Sequence, residues 1–434
     1  MEHALLPIVV FLAVYVALSF ELLNKAVAAL LGVMTLLVFR VIDMETAVTF
    51  IDFETIMLLM GMMTIVAVLK KAEVFTILSV KIAEVTRGEP LKILILFSIV
   101  TAVLSAFLDN VTTVLIIIPV VIELTAGMGL NPKIFILSQI VISNIGGTAT
   151  LIGDPPNIII GSKAGLTFNQ FIVNLTIPVI ISFVLILFYI WIRNRSLFKP
   201  IRDNLVTLFS ARLLFEKIRH DFLNTLIKPR FLKTSVLFLG IVIAMFFTQT
   251  ITHISPGEAA VLVAMLLLAV TRVKIEPMLE EVEWSTLLFF AGLFILVGTL
   301  EHVGAIEWVA HNVFMRVGNN PYVVTLTILW VSAIVSGFLD NIPFTLAMIP
   351  IVQMMIESTG LSGNILWWAL SLGACFGGNF TMIGASANIV GIGMAKKYNQ
   401  HVTFLEFMKF SAVATILSLI VSSIYLTLYL WVTL

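Results

Sequence analysis

Apolar residues in this chain come in long runs, with polar residues gathered at the run ends and at a few interior points. The runs fall near 5–22, 26–42, 55–70, 91–126, 133–165 and 169–193, then near 235–252, 258–271, 285–300, 322–356, 365–393 and 410–432. About 20 helical residues span the ~30 Å hydrocarbon core of a bilayer. The pattern therefore predicts an all-α polytopic membrane protein. The opening "MEHALLP" has neither the basic start nor the small-residue cleavage site of a signal peptide, so the first run reads as a retained span.

One long polar connection, 194–233, separates two sets of runs. From Arg193 to Lys233 it carries ten Lys and Arg against three Asp and Glu, which places it on the cytoplasmic side of the plasma (inner) membrane. Its Leu and Phe spacing also suits a helix lying on the membrane surface. With that segment inside, the basic stretches "KKAEVFTILSVKIAEVTRGEPLK" and "MAKKYNQH" fall inside and the acidic "RVIDMETAVTFIDFE" falls outside. Each half then crosses an odd number of times, five by this reading, and both chain ends lie outside.

The chain repeats itself at a shift of 231 residues. "SAFLDNVTTVLIIIP" (105–119) aligns with "SGFLDNIPFTLAMIP" (336–350), and ten of twenty positions are identical between 102–121 and 333–352. "GGTATLIGDPPNII" (146–159) aligns with "GGNFTMIGASANIV" (377–390) at the same shift, as does "FETIMLLMG" (53–61) with "WSTLLFFAG" (284–292). Similar halves joined after an odd number of crossings are related by inversion. That is the plan of secondary transporters, which place the site at mid-membrane where helices are interrupted.

The first interruption is the Asp109-Asn110 pair, repeated as Asp340-Asn341. It divides each long run into two arms: either two complete spans with the pair in a surface turn, or a re-entrant hairpin with its tip at mid-depth. Apolar residues abut the pair directly, the tip recurs in the other half, and an arm to mid-depth needs only about 10–15 residues, all of which favour the hairpin. An Asp or Asn there caps the second arm, with Thr112 and Thr113 in its first turn. Each tip offers carbonyls that end one helix and amides that open the next. Carbonyls with a carboxylate suit Na⁺ or H⁺; amides with Asn and Thr side chains suit an anion or a hydroxylated solute.

The second interruption, "NIGGTATLIGDPPN" (144–157), combines glycines with Pro155 and Pro156. Proline removes a donor and biases the preceding residue out of the helix, while glycine lets backbone approach a solute. Asn144, Gly146, Gly147, Thr148, Thr150, Asp154 and Asn157 are the candidate ligands. The mirror segment supplies Gly377, Gly378, Asn379, Thr381, Ser386 and Asn388 but replaces Asp-Pro-Pro by Ala385-Ser386-Ala387. Asp154 has no counterpart and is therefore the candidate for proton or substrate selectivity.

Composition narrows the function. Of 434 residues 60% are hydrophobic and 12% charged, and the formal net charge is zero, so nothing points to nucleic acid. One cysteine, Cys375, excludes an internal disulfide or a multi-thiolate site and reads as packing. No Ser/His/Asp set, His-rich motif or nucleotide-binding loop is present, so the chain reads neither as an enzyme nor as a nucleotide-driven pump, and no cofactor is expected beyond bound Na⁺.

The four quoted motifs resemble the P protein (pink-eyed dilution) branch of the ion transporter superfamily, which also holds citrate transporter-like proteins, arsenite permeases, NhaD-type Na⁺/H⁺ antiporters and sodium/dicarboxylate symporters. The resemblance implies two re-entrant hairpins, a homodimer and an elevator-type transport domain moving against a scaffold. It divides the chain into scaffold helices 1–90 and 234–320 and transport elements 91–193 and 321–434. It also implies Na⁺ near Asp109, Asn110 and Gly147 and near Asp340, Asn341 and Gly378. The dicarboxylate branch carries Ser-Asn-Thr at its tips and Thr at the Asp154 position. The extra acids here oppose a dianion unless cations neutralise them.

The expectation is a secondary active transporter, coupled to Na⁺ or H⁺, that moves a small anion or an arsenite- or antimonite-like oxyacid. A plain Na⁺/H⁺ antiporter, a passive anion channel and a di- or tricarboxylate symporter are the alternatives.

Overall fold

The computed structural model describes residues 5–20, 22–86, 89–198, 229–314, 318, 320–359 and 364–433. The basic connection expected at 194–233 lies mostly outside the described residues.

The described chain is all-helical. Its first part comprises α1 (Leu5–Ser19), α2 (Lys25–Val38), α3 (Met44–Thr49), α4 (Phe53–Lys71), α5 (Val74–Thr86), α6 (Pro90–Phe107), α7 (Asn110–Gly127), α8 (Lys133–Gly147), α9 (Pro155–Ala164) and α10 (Phe168–Arg193). Its second part comprises α11 (Pro229–Phe247), α12 (Gln249–Thr252), α13 (Pro256–Thr271), α14 (Ile275–Glu280), α15 (Trp284–His302), α16 (Ala305–Val309, continued by a π-helical turn), α17 (Pro321–Phe338), α18 (Asn341–Thr359), α19 (Ile365–Gly377), α20 (Ser386–Lys397) and α21 (Phe404–Thr433). Among the described residues nine helices are long and apolar enough to cross a membrane.

Helix bounds recur at the shift of 231. α4 and α15 begin at residues 53 and 284, α6 and α17 at 90 and 321, and α7 and α18 at 110 and 341. Packing is reciprocal as well: α4 lies on α13 and α2 on α15, while α7 lies on α20 and α9 on α18.

Local chemistry explains the breaks. α6 and α17 both start on a proline, which a first helical turn tolerates, and both end at a leucine in extended conformation, Leu108 and Leu339. The chain restarts one residue later, where the Asp109 side chain takes the Thr112 N–H at 2.7 Å. α8 ends at Gly147 and α9 begins at Pro155, after Asp154 has adopted the extended conformation that a following proline favours. Ala385 adopts almost the same φ and ψ before α20 without any proline behind it, so there the packing around it imposes the shape.

Two glycines set how closely the broken helices sit on their neighbours. A Cβ on Gly146 would come within 2.4 Å of the Ala102 carbonyl of α6, and one on Gly377 within 2.4 Å of the Ala333 carbonyl of α17. Only a residue without a side chain fits either crossing. Fully buried rings join the two parts: Phe171 packs edge-on against Trp368, and Phe168 lies against Phe246.

Candidate functional site

The two Asp-Asn tips and the two helix breaks come together at the centre of the molecule. Asn110 donates from Nδ2 to Asn144 Oδ1 at 2.9 Å and to Asp154 Oδ1 at 3.2 Å. Asn341, from the other tip, donates to the same Asp154 oxygen at 3.2 Å. One carboxylate oxygen thus joins tips that lie 231 residues apart in sequence. Asp154 is 0% exposed, and its second oxygen accepts no hydrogen bond among the described residues.

Asn144 extends the network across the halves, donating to Asn379 Oδ1 and Asn388 Oδ1, both at 2.8 Å. The remaining predicted residues hold the breaks in shape. Asn157 donates to the carbonyls of Thr148 and Thr150, and Asn388 donates to those of Gly378 and Thr381. Thr150 donates to the Ala106 carbonyl of α6, and Thr381 to the Gly337 carbonyl of α17 at 2.5 Å. Thr113 and Thr148 donate to the carbonyls of Asp109 and Asn144, and Asn379 donates to that of Val141. Unwound backbone this deep needs such partners, because an unpaired buried carbonyl or amide costs about 1–3 kcal/mol. Gly147 and Gly378 face the backbone of Gly153 and Gly384 across the two loops. Thr112 contributes its N–H to the Asp109 cap.

A cavity of about 530 Å³ opens beside this network. Of the residues expected from sequence, Asp109, Asn110, Asp154, Asn341 and Ser386 line it. Apolar side chains, including Leu59, Met63, Val111 and Ile389, make up much of the rest of the wall. Six helix N-termini border it, those of α2, α7, α9, α15, α18 and α20, so partial positive charge from backbone amides faces acidic side chains. Among the described residues no group of three or more His, Cys, Asp or Glu side chains forms a metal cluster.

The two tip carboxylates differ. Asp340 pairs with Lys25 Nζ, which also donates to Ser386 Oγ at 2.8 Å. Among the described residues no basic side chain pairs with Asp109.

The citrate transporter (CitMHS) family profile matches residues 15–373. The chain belongs to this family. As a CitMHS-family protein it is a multi-pass membrane transporter and not an enzyme. An uncharacterized transporter of Mycobacterium tuberculosis is 39% identical over 438 residues, covering 99% of this chain and 100% of the relative. The 46 kDa membrane protein of Mycobacterium leprae is 37% identical over 432 residues, 98% of each chain. The P protein of Homo sapiens is 33% identical over 490 residues, 95% of this chain and 58% of that protein. The P protein resemblance carried by the tip and break motifs agrees with these relatives.

Four polar residues of this CitMHS-family cavity lie outside the candidates that the sequence motifs supply: Asn24, Lys25, Glu283 and Thr286. Lys25 left a faint signal, a basic residue at the first position of a helix, where the backbone dipole disfavours it. Glu283 aligns with Asp52 at the shift of 231. Both accept from the hydroxyl of the threonine three residues on, but Asp52 also caps α4 through the Thr55 N–H, whereas Glu283 makes no backbone cap and faces the cavity.

Proposed function

We propose that the protein is a secondary active transporter that couples Na⁺ or H⁺ to the movement of a small anion or an arsenite-like oxyacid. One observation carries the reading. Amides from both tips converge on a single oxygen of the buried Asp154, whose other oxygen meets no hydrogen-bond donor at bonding distance among the described residues. A buried carboxylate in that position costs several kcal/mol unless a proton or cation joins it, which makes it a loading site for either. The helix N-termini around it offer the opposite polarity to an anion that arrives with the cation.

The recurring helix bounds and reciprocal packing support two copies of one unit related by a two-fold axis. With an odd number of crossings per copy, that axis lies in the membrane plane. Tips entering from opposite faces can share Asp154 only near mid-depth, so α6–α7 and α17–α18 act as re-entrant hairpins. In this reading α6–α10 and α17–α21 travel as an elevator-type transport domain. The remaining helices form the scaffold of a homodimer in the plasma membrane, and the basic segment between the halves is cytoplasmic.

Flux into proteoliposomes decides it. Uptake of arsenite, phosphate, succinate or citrate should follow an imposed Na⁺ or pH gradient; flux indifferent to both gradients removes the coupling. Exchange of Na⁺ for H⁺ with no other solute present would establish the second reading, an antiporter, which the acidic wall of Asp109, Asp154 and Glu283 favours. Citrate enters as a candidate through the family description, and against that wall it requires neutralising cations. Currents far above carrier turnover would replace the carrier by a channel.

A further inference from the structure

The two tips share the sequence Phe-Leu-Asp-Asn, yet their carboxylates are engaged differently. Both oxygens of Asp340 meet donors of the protein: Oδ1 takes the Ile342 N–H at 3.2 Å, and Oδ2 takes Lys25 Nζ and, at 3.4 Å, Ser386 Oγ. The Lys25 ammonium also lies 6.0 Å from the centre of the Phe289 ring. The positions that correspond to Lys25 and Ser386 around the first tip, at the shift of 231, are Pro256 and Pro155. Neither can supply a charge or a hydroxyl. Asp109 takes the Thr112 N–H and faces the cavity.

Helix stability does not explain Lys25. A cation in the first turn of α2 opposes the dipole at a cost of about 0.3–1 kcal/mol, and the cap itself is made by Asn24, which accepts from the Ala26 N–H at 3.0 Å. What the ammonium does is sit within the cavity wall, with a side chain 31% exposed, against a carboxylate 9% exposed. That is where a soluble cation would be held if the second tip worked as the first does.

We propose that, in the conformation described, Lys25 is a tethered counter-ion that the scaffold lends to the Asp340 tip, standing in for a soluble cation there, so that of the two tip carboxylates only Asp109 exchanges a cation with solution. The proposal rests on the cation-coupled reading of the cavity and deepens it by setting how many cations the tips take up beside Asp154.

The purified full-length chain in detergent provides the test, with no cargo needed. A cation that binds only the folded state raises stability with the logarithm of its concentration, in proportion to the number bound. Melting is followed against Na⁺ at fixed pH, and against pH in choline buffer. Relative to Asp109→Asn, the wild-type chain should show a slope worth about one extra cation for Na⁺ or for H⁺. Lys25→Met should about double that increment, Lys25→Arg should keep it, and Lys25→Met/Asp340→Asn should return it to the wild-type value.

A Lys25→Met slope equal to wild type overturns the proposal, as does an Asp340→Asn single variant whose slope falls. Should Lys25→Met not fold, the Asp340→Asn single variant decides: an unchanged slope supports the tethered ion. If wild type and Asp109→Asn share the same slopes for both cations, the cation-coupled reading of that tip fails first.

Discussion

The first and second tips are built alike and finished differently. Each begins with an arm that starts on a proline, passes an extended leucine and restarts at Asp-Asn. Each sends an asparagine amide to Asp154. Yet the second tip has its carboxylate paired with Lys25, while the first presents Asp109 to the cavity. The helix breaks show the same division. Thr150 and Thr381 make equivalent bonds to α6 and α17, and Asn157 and Asn388 make equivalent bonds to the Thr150 and Thr381 carbonyls. Asp154, however, is opposed by Ala385, and Asn144 by Cys375. The shared features follow the sequence motifs that recur at the shift of 231. Among the differences are side chains that face the cavity or the central network, Asp154 and Lys25 foremost.

The largest effect should come from the residue without a counterpart. Asp154→Ala removes the oxygen shared by both tips, takes from the buried Asn341 amide its acceptor, at about 1–3 kcal/mol, and leaves the Asn110 amide only its bond to Asn144. Coupled flux in proteoliposomes should fall at least about tenfold, since 1.4 kcal/mol is a factor of ten. Normal coupled flux in this variant would mean the meeting of the tips is only structural.

Next, Asp109→Asn and Asp340→Asn should part company: the first abolishes the response of flux to the cation gradient, and the second keeps a response while lowering the rate. Equal loss in both variants would restore equivalence to the tips. Smaller still, and symmetric, are the glycine crossings. Gly146→Ala and Gly377→Ala each force a Cβ against a carbonyl and should destabilise by about 1–3 kcal/mol, read as similar drops in melting temperature. Thr150→Val and Thr381→Val should each cost about 1 kcal/mol. A large difference within either pair would show that the scaffold itself is asymmetric.

The smallest effect is one-sided. Asp43 caps α3 through the Thr46 N–H, which holds its carboxyl below the usual carboxylate range, whereas the aligned Lys274 makes no side-chain cap. The contribution of this cap is present above the unfolded-state pKa and fades as pH falls through the lowered folded value. The deficit of Asp43→Ala in a melting scan should therefore shrink on acidification, and Lys274→Ala should show none.

Much of the architecture was legible in the chain. The apolar runs coincide with the helices, and the Asp-Asn pairs and the Gly and Pro breaks fall where helices stop, because these signals act within a few residues. The polar residues of the motifs were legible as candidates but not by duty. Thr148, Thr150, Asn157, Thr381 and Asn388 look like ligands in sequence, and the fold uses their donors on backbone carbonyls. A polar side chain in an unwound segment can face a solute or its own backbone, and spacing does not distinguish the two. Lys25 was out of reach for another reason: its partner lies 315 residues away, and the repeat gives it no copy.

By itself the sequence determined the helix content, the recurrence of motifs at one shift and the placement of acids within apolar runs, since hydrophobic length and local chain stiffness are written residue by residue. The tertiary structure decided that Asp154 receives both tips, that Lys25 answers only one of them, and that Ala385 bends without a proline. Each of these depends on groups brought together across the two halves, where close packing and the cost of unpaired buried polar groups select the partners.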